Sequence, residues 1–290
     1  MGESLIDLIK VLRDRTGAGL MDCKGALLAN DCDIEKATDW LREKGLAKAA
    51  KKADRIAAEG LALAVRCPKC GKTVVLEVNC ETDFVAKGDD FHKLVEDVAG
   101  VILKEEPKSV EEAKELTQGL FTDATVKMGE KFDLRRFTII SQENNVIGTY
   151  IHMGGKIAVA VSLDKGDEEL ARDLAMHIAA NNPQYLSMAD VPADAKEHEM
   201  SVQKEAAKND EKLANKPAPV LEKILEGKIN KYFAEMTLEA QPFLKDDSKT
   251  VGQLLSEKGV KVLSFVRYQV GEGIEKRKDD FAAEVMSQAK

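Results

Sequence analysis

Residues 73–102 read TVVLEVNCETDFVAKGDDFHKLVEDVAGVI, and this stretch decides the fold of the central region. Thr73 to Asn79 is apolar or β-branched at almost every position, which predicts a β-strand. From Asp89 onward, apolar residues recur at helical spacing, which predicts a helix with one buried face. These residues are Phe91, Leu94, Val95, Val98 and Ile102. A strand therefore leads through the loop Cys80 to Gly88 into a helix, as in an α+β domain.

The neighbouring segments extend this unit in both directions. Leu61 to Arg66 is a second short apolar run, and the turn residues Cys67 to Lys72 join it to the first strand, which predicts a hairpin. Ser109 followed by Glu112 has the pattern of a helix start, and Phe137 to Ile140 predicts a returning strand. We therefore predict an N-terminal core subdomain at residues 54–141.

The same order of elements recurs in the second half of the chain. Val146 to Ile151 and Ile157 to Leu163 predict a hairpin across Gly154-Gly155. A helix from Asp167 follows, and Val260 to Val270 predicts the closing strand. Although the sequences barely match, the order predicts a related C-terminal core subdomain at residues 142–274, with antiparallel strands and flanking helices.

An insertion at about residues 190–236 interrupts the second subdomain. Ala193 to Leu213 is helical in composition but almost entirely polar, and a second helix follows the break at Asn215 to Pro219. We expect an antiparallel helical hairpin, an arm of roughly 30 Å for about twenty residues. Residues 275–290 predict a charged C-terminal helical module.

The N-terminal region, residues 1–53, predicts three short helices. The first begins after Ser4 and stops at Gly17, the second spans about Gly19 to Ala29, and the third runs from Asp33 to Gly45. Three such helices form a compact bundle of the ubiquitin-associated type. The Ala- and Lys-rich stretch after Gly45 is interpreted as a helical linker.

Composition and charge narrow the class of partner. The chain has 290 residues, 44% of them hydrophobic, which is enough for two domains with cores. Its net charge is −8 with lysines interspersed among carboxylates, which disfavours direct nucleic-acid binding and favours a protein partner. Without a basic leader or an apolar run of membrane-span length, we expect a cytoplasmic protein, in a bacterium rather than an organelle.

The motifs of an enzyme or a cofactor site do not appear. Gly154-Gly155-Lys156 lacks the upstream glycine of a phosphate loop, and Gly271-Glu272-Gly273 lacks the third glycine of a dinucleotide fingerprint. His198-Glu199 has Val202 where a zinc protease needs its second histidine. We therefore predict no catalytic residues and no cofactor.

The cysteines leave one alternative open. Their number is odd, and we expect reduced thiols. Cys67 and Cys70 on a tight turn supply half of a tetrahedral metal site, and Cys80 on the adjoining strand brings the set only to three. A plain turn in a reducing compartment is favoured over a zinc site or a redox pair. The alternative is a thiol or metal protein built around these three cysteines.

Several single residues remain ambiguous on sequence alone. Phe84 lies in a connecting loop, where it either packs back as a local core residue or projects as an interface residue. Asp83 by itself is typical of a turn or helix cap. His177 near a helix end is typical of a residue that satisfies carbonyls. For Leu20-Met21 the core interpretation is favoured over an exposed contact patch.

Four segments carry a family resemblance. They are Leu12-Arg13 with Thr16-Gly17-Ala18-Gly19-Leu20-Met21-Asp22-Cys23-Lys24, Asp39-Trp40-Leu41-Arg42 with Gly45-Leu46-Ala47, Glu77-Val78-Asn79-Cys80-Glu81-Thr82-Asp83-Phe84-Val85, and Val270-Gly271-Glu272-Gly273-Ile274-Glu275. They occur in the family's order along the chain, and the third is highly specific. The chain resembles the elongation factor Ts family.

The resemblance implies a translation factor that binds elongation factor Tu in its GDP form and promotes GDP release, with no bond chemistry of its own. It assigns disturbance of the partner's magnesium site to Thr82, Asp83, Phe84 and Val85. It assigns partner binding to Arg13, Gly17, Leu20, Met21 and His177. It also implies that residues 275–290 are a further partner contact, and that the arm is a dimerisation or packing element, with a homodimer in some members.

Two features depart from the family pattern. Leu20 stands where methionine is common, and this exchange nearly conserves volume. The Cys67 to Cys70 turn is not a family hallmark, so the resemblance does not explain it. The remaining alternative function is a generic adaptor that binds through residues 1–53 alone.

Overall fold

The protein is described here by a computed structural model that covers residues 4–141, 145–210, 213 and 216–275. Within these residues the architecture is mixed α+β, as predicted. The helices are α1 (Leu5–Thr16), α2 (Leu20–Ala29), α3 (Ile34–Lys51), α4 (Asp83–Ala86), α5 (Asp89–Glu105), α6 (Val110–Met128), α7 (Glu168–Asn181), α8 (Ala193–Lys208), α9 (Ala218–Glu235) and α10 (Val251–Lys258). The strands are β1 (Glu59–Arg66), β2 (Thr73–Cys80), β3 (Asp133–Ile140), β4 (Val146–His152), β5 (Ile157–Leu163), β6 (Pro242–Phe243), β7 (Asp246–Thr250) and β8 (Val262–Gln269).

The chain divides into two compact units that interleave along the sequence. The first unit contains the described residues up to Ile140, the segment Ile151–Ala158, and the residues from Tyr268 to Glu275. The second contains the described residues between them. Sequence patterns do not indicate that Ile151–Ala158 and the residues from Tyr268 onward belong to the first unit. The predicted division of the chain at residues 53, 141 and 274 stays a prediction.

The N-terminal bundle forms at the caps expected from sequence. The Ser4 side chain accepts a hydrogen bond from the Asp7 backbone N–H, and Gly17 ends α1 in the left-handed conformation with φ 66°. The buried core of the bundle includes Leu12, Leu27 and Leu41. Local capping and the spacing of apolar residues therefore define these helices.

The prediction that the third helix ends at Gly45 is wrong. Helix α3 continues to Lys51, and Gly45 is buried where α3 packs on α6. A β-carbon at Gly45 would lie 2.4 Å from Val126 Cγ2, so the glycine permits close packing of the two helices and does not end a helix.

The sheet of the first unit has the strand order β1-β2-β3, with antiparallel pairing throughout. At one end Arg66 pairs with Thr73, and at the other Glu59 pairs with Cys80. The central strand β2 is buried along its whole length. Helix α5 covers the sheet with the predicted residues Phe91, Leu94, Val95, Val98 and Ile102. This core holds the two ends of β2 in place.

A second sheet, whose strands lie mainly in the second unit, has the strand order β4-β5-β8. Helices α8 and α9 form the expected antiparallel hairpin. Ala207 near the end of α8 shares a buried cluster with Leu225 in the first half of α9, while Ala195 near the start of α8 packs against the cluster of Ile229 and Phe233 in the second half of α9.

Some elements were not predicted from the sequence, and one predicted element lies outside the described residues. The short strands β6 and β7 and the helix α10 have too few residues for a clear periodic pattern. The predicted C-terminal helix, Asp279 to Ala289, falls outside the part of the chain that the structure describes. In the described part, none of the helices combines the length and apolar character needed to cross a membrane.

Candidate functional site

The segment after β2 is a short helical turn and not an extended loop. Thr82 is the N-cap of α4, and its Oγ1 accepts a hydrogen bond from the Val85 backbone N–H at 3.3 Å. Lys87 ends the turn, and α5 begins two residues later. The chain therefore reverses within a few residues, between a buried strand and a buried helix.

Glu130 fixes the start of this turn. Its Oε2 accepts hydrogen bonds from the backbone N–H groups of Glu81 at 3.0 Å and Thr82 at 3.1 Å, and its Oε1 accepts one from Thr82 Oγ1 at 2.6 Å. In return, Glu81 Oε1 accepts a hydrogen bond from the Lys131 backbone N–H at 2.7 Å. Carboxylate hydrogen bonds of this kind are stronger than neutral ones. Sequence reasoning missed Glu130 because its partners lie 48 and 49 residues away.

Phe84 projects from the turn into solvent. Its side chain is 84% exposed, the largest exposure among the large hydrophobic residues of the described chain. The next two residues behave differently, since Val85 packs against the core and Ala86 is buried. The ambiguity left by the sequence is resolved in favour of a projecting aromatic side chain. An exposed phenylalanine on an anchored turn is typical of a protein-binding site.

Asp83 lies beside Phe84 and carries a stable negative charge. Its Oδ2 accepts a hydrogen bond from Lys87 Nζ at 2.7 Å. This contact holds the pKa of the Asp83 carboxyl below its ordinary value. The turn therefore presents an aromatic ring next to an ionised carboxylate at neutral pH.

Cys80, at the end of β2, is a structural thiol. It is fully buried, and its Sγ donates to the Thr82 backbone carbonyl at 3.2 Å. Burial raises the pKa of Cys80 to about 12, and the nearby Glu130 carboxylate adds to the effect. Cys80 therefore stays protonated at neutral pH and does not act as a nucleophile.

The bundle presents a second exposed apolar surface. Leu20 and Met21 at the start of α2 are 53% and 72% exposed, so the interpretation of this pair as core is wrong. Arg13 on α1 is also exposed. Gly19 begins α2 without a side-chain cap, and both apolar side chains lie exposed in the first turn of that helix.

Lys127 connects the bundle to the turn. A β-carbon at Gly17 would lie 2.9 Å from Lys127 Cδ, so the end of α1 rests against this side chain. Lys127 Nζ forms an ion pair with Asp90 Oδ1 at 2.5 Å, in the first turn of α5. Gly17 and the segment that follows α4 are therefore linked through one lysine.

His177 lies in the core of the second unit. It is fully buried, and its ring stacks on Phe243 with centroids 6.0 Å apart. The Leu244 backbone N–H donates to His177 Nδ1 at 3.2 Å, so Nε2 carries the proton and donates to Gln241 Oε1 at 2.9 Å. The imidazole thus holds the turn that presents Leu244, whose side chain is 48% exposed.

His177 also predicts a pH dependence of stability. Burial lowers the pKa of His177 below its ordinary value of about 6.5. The unfolded chain therefore binds a proton at a higher pH than the native protein. We expect the free energy of unfolding to decrease as the pH falls below about 6.5, toward the lowered native pKa. Urea unfolding at a series of pH values between about 7 and 5 measures this slope.

A matched pair of variants assigns the slope to this residue. In His177→Gln the decrease over this pH range should become smaller, because the buried titrating group is gone. His198→Gln removes an exposed imidazole on α8 and should leave the slope as it is. An equal slope in His177→Gln and the unaltered protein would contradict the assignment.

Comparison with known protein families identifies one family. The model of the family described as Elongation factor TS matches residues 81–272, about two thirds of the chain. The match begins one residue before the turn at Thr82 and includes α4, α5, the β4–β5 hairpin and the arm, whereas β1 and β2 precede it. Members of this family are translation elongation factors that exchange nucleotide on elongation factor Tu and catalyse no bond chemistry. The chain belongs to the elongation factor Ts family.

Proposed function

We propose that this protein binds elongation factor Tu in its GDP form and releases GDP by disturbing the magnesium and phosphate site of that partner. The residues proposed to act there are Thr82, Asp83, Phe84 and Val85. The observation that carries the proposal is the exposure of Phe84, at 84%, on a turn that is held from both sides. Because the Phe84 side chain is already exposed in the free protein, no free energy is needed to expose it for binding. Burial of its apolar surface by a partner then stabilises the complex.

Rigidity of the turn supports a wedge mechanism. The bonds from Glu130 and the Thr82 cap restrict the turn before binding, so less conformational entropy is lost when Phe84 inserts between elements of the partner. Insertion then shifts the partner's own groups that hold magnesium. Asp83 adds a negative charge beside them. Loss of magnesium contacts weakens the partner's hold on the phosphates of GDP.

The N-terminal bundle is proposed to hold the partner while the turn acts. Leu20 and Met21 supply exposed apolar area, Arg13 supplies charge, and Gly17 fixes the end of α1. His177 is proposed to support partner binding indirectly, because its buried ring positions Leu244. The proposal includes a cytoplasmic location. It does not include direct binding to nucleic acid or to a membrane. A homodimer through the arm formed by α8 and α9 is a further proposal.

Thermodynamic linkage defines how such a factor works. If this protein weakens GDP binding by some factor, GDP weakens the binding of this protein by the same factor. Excess GTP then completes the cycle by binding to the emptied partner and releasing this protein. The protein needs no nucleotide site of its own for this mechanism.

The test is release of a fluorescent GDP from elongation factor Tu, followed by stopped flow with and without the full chain. We expect the release rate to increase with the concentration of this protein and then to saturate. A generic adaptor that binds only through the bundle predicts complex formation without faster release, and that result would overturn the proposal.

A further inference from the structure

The turn between β1 and β2 holds two thiols in a defined arrangement. The Cys67 backbone N–H donates to the Lys72 carbonyl at 2.7 Å, and the Gly71 backbone N–H donates to the Cys67 carbonyl at 3.0 Å. Gly71 has φ 70°, a left-handed conformation that glycine adopts without strain. The Cys70 backbone N–H donates to Cys67 Sγ at 3.3 Å. Cys67 is half-buried and Cys70 is exposed, so both thiols are accessible.

The geometry of the turn suits a bound thiolate. The Cys70 backbone N–H points at Cys67 Sγ, where it stabilises negative charge, and Lys69 is exposed in the same turn. Cys80 has a different environment, because it is fully buried. Two thiols separated by two residues and both reachable from solvent suit a thiophilic cation such as Zn²⁺.

Two thiolates fill only half of a tetrahedral zinc site. Among the described residues, no group of three or more His, Cys, Asp or Glu side chains is arranged to hold a metal ion. All five cysteines and all four histidines of the sequence lie within that part of the chain. Cys80 is not a third ligand, because it lies at the other end of β2, about 24 Å away along an extended strand. The described part of the chain therefore does not complete the site.

We propose that the Cys67–Cys70 turn is half of a zinc site that is completed by the same turn of a second copy of this chain. Each copy supplies two sulfur ligands, and a two-fold axis through the metal gives the four-thiolate set of a closed structural site. The four thiolates and one Zn²⁺ carry a net charge of −2. Lys69, exposed in the turn of each copy, offsets that charge. This site does not depend on the proposed exchange function.

Zinc binding and assembly of the full chain test the proposal together. The reduced protein is mixed with zinc chloride, freed of unbound metal, and examined for zinc content and by sedimentation velocity. We expect about one zinc ion per two chains and a zinc-dependent association of two chains that is reversed when a chelator is added. Replacement of zinc by Co²⁺ should give the absorption of a tetrahedral site with four thiolates.

Cysteine variants make the outcome specific. Cys67→Ser with Cys70→Ser should abolish both zinc uptake and zinc-dependent dimerisation, and so should the single change Cys70→Ala at an exposed position. Cys32→Ser, which removes an exposed thiol elsewhere, should keep both. Equal thermal unfolding curves in chelator establish that the variants are folded.

Three results would overturn the proposal. One is a full zinc ion per chain on a monomer, which would mean that the site closes within one molecule or with solvent. Another is undiminished zinc binding in the double serine variant. The third is an assembly state that is the same with zinc and in chelator, because association through the arm alone does not respond to zinc.

Discussion

We expect Phe84→Ala to slow GDP release from elongation factor Tu at saturating concentrations of this protein. Truncation of an interface aromatic of this kind costs about 2 kcal/mol, which corresponds to about a 30-fold lower rate if the contact forms only when GDP is displaced. The side chain is 84% exposed in the free protein, so its removal leaves the core intact. Stopped-flow release of a fluorescent GDP measures the effect.

A comparison with Met21→Ala separates the insertion of Phe84 from partner binding by the N-terminal bundle. Met21 is also exposed, at 72%, but it lies on the bundle. Its truncation should raise the concentration needed for half-maximal release while the saturating rate changes little. Phe84→Leu, which keeps apolar bulk, should recover part of the rate. Unaltered release by a folded Phe84→Ala protein would rule out the wedge.

Periodic and capping patterns predicted most of the fold. The spacing of Phe91, Leu94 and Val98 predicted α5, and Ser4 and Asp33 marked helix starts that the structure confirms. These features depend on neighbours within one or two turns of the chain, so they are visible in sequence. The turn carrying Phe84 was found for the same reason, because it lies between two strongly patterned elements.

The features that were missed depend on partners far away in sequence. Gly45 resembles a helix stop until its contact with Val126 is known. Glu130 looks like an ordinary surface carboxylate in sequence, yet it holds the start of the turn at Thr82. Leu20 and Met21 have the composition of core residues but stand at an exposed helix end. Local sequence does not specify which of these residues tertiary contacts will bury.

Glu77 is another residue whose role depends on partners far away in sequence. Its replacement has the largest expected effect on stability. It lies on β2 with its side chain fully buried. Arg136 Nε donates to its Oε2 at 2.7 Å and Arg135 Nη1 to its Oε1 at 3.1 Å. The Gly271 backbone N–H also donates to Oε1, at 2.8 Å. One carboxylate therefore joins the central strand to β3 and to the segment after β8.

Glu77→Ala should destabilise the protein by about 3 kcal/mol or more, because two arginines and a backbone N–H lose their buried acceptor together. We expect the melting temperature to fall by roughly 6–12 °C. Amide hydrogen exchange at Gly271 should also become faster, since its hydrogen bond to Glu77 is lost. Differential scanning calorimetry and exchange mass spectrometry measure the two effects.

Two further variants separate the buried charge from its surroundings. Glu77→Gln keeps the shape and one acceptor oxygen, so its effect should be smaller than that of the alanine change but still clear, because the arginines lose their counter-charge. Glu272→Ala removes a half-exposed carboxylate that contacts Arg136 at 3.1 Å, and it should cost less than about 1 kcal/mol. If Glu77→Ala and Glu272→Ala lowered the melting temperature equally, the cluster around Glu77 would not be what holds the segment after β8 to the sheet. A large loss confined to Glu77→Ala, with faster exchange at Gly271, is the result that its burial and its contacts require.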